Sequence, residues 1–441
     1  MSKPLRLGIA GLGTVGASVV RIIQSNASPL GLRAGRPVVV TAVSARNRSR
    51  DRGIDLNGVS WHDNPEDLAR DPNVDVVLEL IGGASGAAEA VVRAAIENGK
   101  SVITANKALL ARIGVEIARL AEAKGLYVGF EAAVAGGIPV IKTLKESLAG
   151  NNITRVYGIL NGTCNYILTR MEKESLSFDV CLKEAQRLGY AEADPTFDVG
   201  GFDTAHKLAI LTSLAFGVEV DAEAIYVEGI TSISLADIKA ADELGYRIKL
   251  LGVSRRTDTG IEARVHPTMV PKGSSVAQTE GVLNAVAFDG DALGEVVLVG
   301  PGAGGNATAS SVIADIVDAA RGHTMPMFGL PASELKPYQR AEIQAHKGGY
   351  YVRLAVYDRP GAFASIAARM AEHAISLESI VQHRRDAMPE GALADASVPM
   401  PQPVVLITYA TTETEIRAAL AEIESDGHIA AAPTLIRIES L

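Results

Sequence analysis

One stretch near the start constrains the fold more than any other. Residues 5–10 (LRLGIA) are a short apolar run, Gly11-Leu12-Gly13-Thr14-Val15-Gly16 follows at once, and ASVVRIIQ continues with its apolar residues at helical spacing. A strand, a glycine turn and a helix in that order open a βαβ unit, whose parallel strands need crossover helices on the faces of the sheet. The three glycines have separate jobs in such a turn: a tight bend, close approach of backbone to a pyrophosphate, and close packing of helix on strand. The plainer reading is a glycine-rich turn without a ligand. The βα setting favours dinucleotide binding at Gly11, Gly13, Thr14, Val15 and Gly16.

Four further apolar runs repeat the unit. Residues 38–43 (VVVTAV), 74–81 (VDVVLELI), 101–104 (SVIT) and 126–130 (LYVGF) read as strands separated by helical patterns. That alternation predicts an α/β fold with a doubly wound parallel sheet of the Rossmann type over residues 1–135. The second strand leads into SARNRSRDR, without the acidic residue that binds the ribose hydroxyls of NAD. Arg46, closest to the strand end, is the candidate for neutralising the 2′-phosphate of NADP, while Arg48 and Arg50 fit a solvated basic loop. NADP is therefore expected to bind at least as well as NAD. Gly83, after the third strand, leaves room for backbone near the nicotinamide end. Lys107 follows the fourth strand closely, at the edge where open α/β sheets bind ligands. Read instead as a surface lysine at a helix start, it would set a cation against the positive end of the helix dipole.

After residue 136 the pattern changes. A helix led by Pro139, a strand ending at Asn161 and two helical patterns precede GYAEADPTFDVGGFDTAHKLAIL, residues 189–211. Glu192, Asp194, Asp198 and Asp203 crowd four carboxylates into a span broken by Pro195, Gly200 and Gly201, which no core-building segment needs. In the helical pattern that begins at Phe202, Asp203 and Lys207 are i and i+4 and share a face. Alone they read as a surface ion pair at a helix start. With Glu192 and the Gly-Gly lead-in, a lysine among carboxylates points to a proton donor and substrate clamp. Four antiparallel strand patterns follow, so residues 136–300 form an α+β catalytic and dimerisation domain whose sheet face suits pairing with a second copy. GPGAGG at 300–305 either returns the chain to the cofactor, completing the first domain with residues 301–322, or simply leads into the next helix.

Residues 323–347 contain Pro326, Pro331 and Pro337 and read as a linker. Residues 348–441 restart as a small βαββαβ unit, in which Asp358-Arg359-Pro360-Gly361 places a turn ahead of a helix. The free amides there suit an amino acid's carboxylate and Asp358 its ammonium, so Asp358 and Gly361 are the candidate effector contacts. A formal net charge of -9 argues against a general nucleic-acid surface. Cys164 and Cys181 have neither metal-ligand spacing nor a disulfide framework, and no leader or membrane-length apolar run is present, so a cytoplasmic protein is expected.

GLGTVG, ITANKALLA, FEAAVAGGIPVI, GILNGTCNYIL and EADPTFDVGGFDTAHKLAIL together resemble the homoserine dehydrogenases over nearly the whole chain, and DRPGAFASIA resembles an ACT domain, a small-ligand regulatory module. The resemblance implies reversible NAD(P)H reduction of aspartate 4-semialdehyde to homoserine, on the route to threonine, isoleucine and methionine. It implies that Lys207 is the catalytic lysine and Lys107 a second one near the reacting carbonyl. Glu192 and Asp203, with Asp198 beside them, would hold the substrate's ammonium group and order the lysine. It further implies a monovalent cation, Na+ or K+, on the backbone oxygens of Glu131, Val134, Gly136 and Ile138, and a cofactor contact at Gly304. Units like the C-terminal one commonly pair with their ligand between two copies, so a homodimer or homotetramer with threonine as effector is expected, the plainer alternative being a domain that only strengthens assembly. An aspartate semialdehyde dehydrogenase would need a reactive cysteine, and neither thiol has a histidine nearby in sequence. An amino-acid sensor with an inactive dehydrogenase half fits poorly with the intact set Lys107, Glu192, Asp203 and Lys207.

Overall fold

The apolar runs of the first 130 residues form strands because each is short, apolar and largely buried within a parallel sheet covered by helices. The computed structural model describes residues 3–341, 347–382 and 401–439. In it β1 (Leu5–Ala10), β2 (Val38–Ser44), β3 (Ser60–His62), β4 (Val76–Glu79), β5 (Ser101–Thr104) and β6 (Val128–Gly129) make a parallel sheet of order β3-β2-β1-β4-β5-β6. The order turns back between β1 and β4, which opens a crevice at their carboxyl ends. β3 is unanticipated: three half-exposed residues carry no legible apolar pattern, and they are strand only because Trp61 pairs with Val43. The helix Gly305–Arg321 comes back from far along the chain, and its Ala309, Val312 and Ile316 share a core with Leu7, Ile9 and Val19.

The second sheet is built from β7 (Ile153–Ile159), β8 (Tyr226–Val227), β9 (Tyr246–Thr257), β10 (Gly260–Pro271), β11 (Leu283–Gly290) and β12 (Gly294–Pro301). Its order β12-β11-β7-β9-β10 is antiparallel throughout, with β8 alongside β10. The helix Phe202–Phe216 is apolar on nearly all sides and lies buried against this sheet.

The C-terminal residues form β13 (Lys347–Tyr357), β14 (Leu377–Gln382), β15 (Pro401–Thr408), β16 (Thr411–Thr412) and β17 (Thr434–Ile438), with the helices Ala362–Glu372 and Glu413–Ser425 between strands. The order β17-β13-β15-β14, all antiparallel, is that of a split βαβ unit. Period-two alternation divides β13 between two cores. Tyr350, Val352, Leu354 and Val356 face the unit's own helices, while Tyr351 joins the main core with Ile238 and Ile436. β17 then pairs parallel with β10, through Thr268 with Arg437 and Met269 with Ile438, so one sheet of 11 strands runs through both units.

Residues 323–341 are irregular, as their prolines dictate, yet they are no free tether. Met327, Phe328, Ala332 and Leu335 are buried, and Lys336 and Arg340 bridge to Val218 and Ile261. The remainder of the expected linker, 342–346, lies outside the described residues, as do 383–400 and 440–441 of the C-terminal unit. No helix among the described residues is long and apolar enough to cross a membrane.

Candidate active site

The site begins where β4 and β5 end. Glu79, fully buried, accepts from the backbone N–H of Ile81 and Gly82 with one oxygen and from the Thr104 hydroxyl with the other. Thr104 Oγ1 accepts from the N–H of Asn106, whose amide donates to the Gly83 carbonyl (2.8 Å) and whose oxygen caps the helix Lys107–Glu122. That chain of bonds fixes Gly83 and presents Lys107 from the first position of the helix.

From the other side come β7 and the helix Phe202–Phe216. Gly201, at φ +88°, turns the chain into that helix and sets Asp203 and Lys207 on its inner face. Asp203 is a bridge: Oδ2 lies 2.8 Å from Lys207 Nζ and Oδ1 lies 3.1 Å from Lys107 Nζ. Lys207 Nζ also donates to the Leu160 carbonyl at 2.6 Å, leaving one of its three donors for the cleft. Asn161 donates to Asp203 Oδ2 (2.9 Å) and to Asp198 Oδ1 (2.8 Å), and its oxygen caps the helix Gly162–Glu174. Burial works against ionisation of Asp203, but Lys207 and Lys107 outweigh it and hold the carboxyl below the ordinary range. Burial pushes the Lys207 ammonium down, with Asp203 opposing, and raises Asp198. These groups line a cleft of about 570 Å³ together with Ala105, Thr163 and Tyr190. Glu192 stands on its rim, exposed, with no carboxylate contact to either lysine among the described pairs.

Both glycine turns reach the same cleft. A Cβ on Gly11 would lie 2.4 Å from the Leu80 carbonyl oxygen and one on Gly16 2.0 Å from that of Gly11, so these two are needed for packing. Gly13 faces open space and caps the helix Thr14–Ser25 without a side-chain bond, leaving amides free for a pyrophosphate. Gly305 packs on Thr14 and Ser18, which brings Gly302, Ala303 and Gly304 beside Val15. A dinucleotide therefore fits these residues. Beyond β2, Arg46 is exposed, Arg48 stacks 5.8 Å from the Trp61 ring, and Arg52 donates to the Leu12 carbonyl (3.0 Å), tying the basic loop to the glycine turn.

A family model described as homoserine dehydrogenase matches residues 139–317, and one described as its NAD-binding domain matches 11–131. The homoserine dehydrogenase of Pseudomonas aeruginosa is 44% identical, covering 100% of both chains. The chain belongs to the homoserine dehydrogenase family. It is accordingly an NAD(P)-dependent oxidoreductase. The crystal structure of a homoserine dehydrogenase from Thiobacillus denitrificans superposes with a TM-score of 0.90 at 43% identity, covering 99% of each chain. A hyperthermophilic archaeal homoserine dehydrogenase mutant in complex with NADPH has a TM-score of 0.61 at 28% identity, covering 73% of this chain and 99% of its own.

In this member of the family, Glu131, Val134, Gly136 and Ile138 share a buried loop with positive φ at Ala135 and Gly136, pressed on Gly302. The Glu131 carboxylate is committed to the N–H groups of Ile141 and Lys142, and the Gly136 carbonyl already accepts from Ser311. The Ile138 carbonyl likewise accepts from Val140, and each of these two carbonyls keeps a second lone pair. Cys164 is fully buried, its thiol donates to the Asp198 carbonyl, and burial raises it well above its ordinary pKa, as suits a structural thiol. Asp358 is exposed, and Gly361, at φ +93°, begins the helix Ala362–Glu372 without a side-chain cap. Three residues of consequence escaped the sequence reading: Asn161, Asn106 and Arg52. Asn161 and Asn106 each stand where a strand pattern gives way to a helical one, the usual place for a capping asparagine, and that signal was available.

Proposed function

We propose that the chain reduces L-aspartate 4-semialdehyde reversibly to L-homoserine, on the route to threonine, isoleucine and methionine, with a lysine assisting proton transfer. The observation that carries this is Asp203, one oxygen on Lys207 and the other on Lys107, at the floor of a cleft bordered by both glycine turns. Bound there, a nicotinamide cofactor supplies the hydride chemistry. Gly11, Gly13, Thr14, Val15, Gly16, Gly83 and Gly304 are the contacts that suit it, and the basic loop at Arg46 supports NADP alongside NAD. As negative charge grows on the aldehyde oxygen, the uncommitted donor of Lys207 stabilises it and delivers the proton, while Asp203 keeps the ammonium in place. Lys107, with a side chain 32% exposed into the cleft, polarises the same oxygen. Asp198 and, from the rim, Glu192 complement the substrate's ammonium. A monovalent cation on the 131–138 loop would brace that loop against the second glycine turn.

The test is turnover of folded single variants. Lys207→Ala is expected to lower kcat by ~10²–10⁴, the range for a lost positioned acid, with NADPH affinity kept. Lys107→Ala is expected to be comparably damaging. Near wild-type turnover in Lys207→Ala would remove the assignment.

We also infer that the C-terminal unit is an ACT-type regulatory domain whose 358–361 turn takes an amino acid, threonine by preference, and that the enzyme works as a homodimer or homotetramer. The split βαβ order supports the ACT-type reading, and the helix start after Gly361, which has no side-chain cap, supports the amino-acid contact.

A further inference from the structure

Arg437 is the most deeply placed charge among the described residues of the C-terminal unit, 1% exposed, and two of its three nitrogens are spent inside that unit on Glu413. The third, Nη1, reaches out to Glu228 at 2.9 Å. Glu228 belongs to the catalytic unit: its N–H donates to the Val265 carbonyl of β10, and its Oε2 also accepts from Tyr226, whose ring lies 5.3 Å from the guanidinium. The next residue is pressed directly onto the carboxylate turn. A Cβ on Gly229 would lie 2.3 Å from the Val199 carbonyl oxygen and 2.8 Å from Gly200 Cα, and the N–H of Ile230 donates to that same Val199 carbonyl at 2.9 Å. Val227 and Val265 close on Gly201 from the other side, each 3.1 Å from where its Cβ would be. Val199 follows Asp198, and Gly201 starts the helix that carries Asp203 and Lys207.

We propose that Arg437 is a positioning residue for the reaction: by holding Glu228 it seats residues 227–230 beneath Val199 and Gly200, and so fixes where Asp198, Asp203 and Lys207 stand. This rests on the reading of those three as the substrate and proton-transfer groups. The turn has no regular sheet or helix of its own beyond the single helical turn Thr196–Val199, so its place is set by what it leans on. What it leans on is held by the backbone of β10 and, through the Glu228 carboxylate, from the C-terminal unit.

The experiment uses the full-length chain and three variants outside the cleft. Glu228→Ala releases the turn but leaves Arg437 paired with Glu413. Glu228→Gln keeps an acceptor for Nη1. Gly229→Ala pushes on the turn from beneath without touching Arg437. Steady-state KM and kcat for aspartate semialdehyde are measured beside NADPH affinity by titration and the melting temperature. Glu228→Ala and Gly229→Ala are expected to lower kcat/KM for the semialdehyde on the order of 10- to 100-fold, the effect of a misplacement near 1 Å. NADPH affinity should stay within about twofold, and Glu228→Gln should recover most of the loss. A Glu228→Ala enzyme that melts earlier but keeps wild-type KM and kcat would overturn the proposal, as would equal loss in Glu228→Gln. Lys207→Ala run in parallel separates the two claims: its inactivity beside an unimpaired Glu228→Ala removes only the positioning role, whereas its full activity removes the reading of the site.

Discussion

Asp203 has two oxygens for two lysines, and Asn161 makes that arrangement tolerable. Its amide sits between Asp198 and Asp203 and donates to both, so two carboxylates share one neutral partner. Asn161→Asp would add a third negative group in its place, whereas Asn161→Ala removes the donor and the helix cap together. Asn161→Ala is expected to lower kcat/KM on the order of 10-fold or more, since losing a hydrogen bond to a charged group costs about 1.5–3 kcal/mol, and steady-state kinetics on the folded variant would check it. The pairing of Asp203 with Lys207 was legible because it is local, four residues along one helix. The bridges from Asp203 to Lys107 and Asn161 were not, because they join a helix to the ends of two strands in different sheets. Only folding sets those distances.

Elements behave the same way. β1 and β5 occupy the residues expected of them, since an apolar run bounded by a glycine turn or a cap defines itself. The helix Leu235–Glu243 went unread, although Ser234 and Asp237 form a capping box that the sequence displays. The basic loop after β2 offers a sharper division of labour than its composition shows. Arg46 is free to meet a phosphate, while Arg52 is committed to the carbonyls of Leu12 and Asn47 and sets the loop against the glycine turn. Arg46→Ala is therefore expected to weaken NADPH by about 1–3 kcal/mol and leave NADH nearly unchanged. Arg52→Ala is expected to weaken both, on the proposal that the glycine turn serves either cofactor. Cofactor titrations of the two variants, followed through the single tryptophan at Trp61 beside the loop, would tell the roles apart.

For the molecule as a whole, the C-terminal unit is part of the architecture rather than an attachment. Asp237 of the catalytic unit caps its own helix and at once receives Tyr351 and Arg353 of β13, its side chain wholly buried. Burial alone would raise its pKa, but Arg353 and Ser234 hold it below the ordinary value. A carboxyl lowered on folding stabilises above its unfolded pKa, near 3.9, and that contribution is lost as pH falls through the lower folded value. Asp237→Asn is expected to lower the melting temperature at neutral pH and to flatten its acid-side dependence below about pH 4, measurable by calorimetry. For threonine, cutting the chain near Lys347 would strip β17 from β10 and uncover Arg264 and Asp237, so a point change is the cleaner probe. Asp358→Ala alters an exposed side chain. If the 358–361 turn is the effector site, full-length enzyme is inhibited by millimolar threonine and this variant needs about tenfold more, with basal activity kept; a coupling of about 1–3 kcal/mol would suffice. The junction between β10 and β17 also has a consequence for synthesis in the cell. β10 leaves the ribosome about 160 residues ahead of the strand that covers it, which at ~5–20 residues per second is on the order of ten seconds or more. Throughout that interval the end of β10 at Thr268 and Met269, beyond the stretch that β8 covers, stands as an open β-edge, so stalled or prematurely ended translation is expected to release a sticky fragment and a client for chaperones.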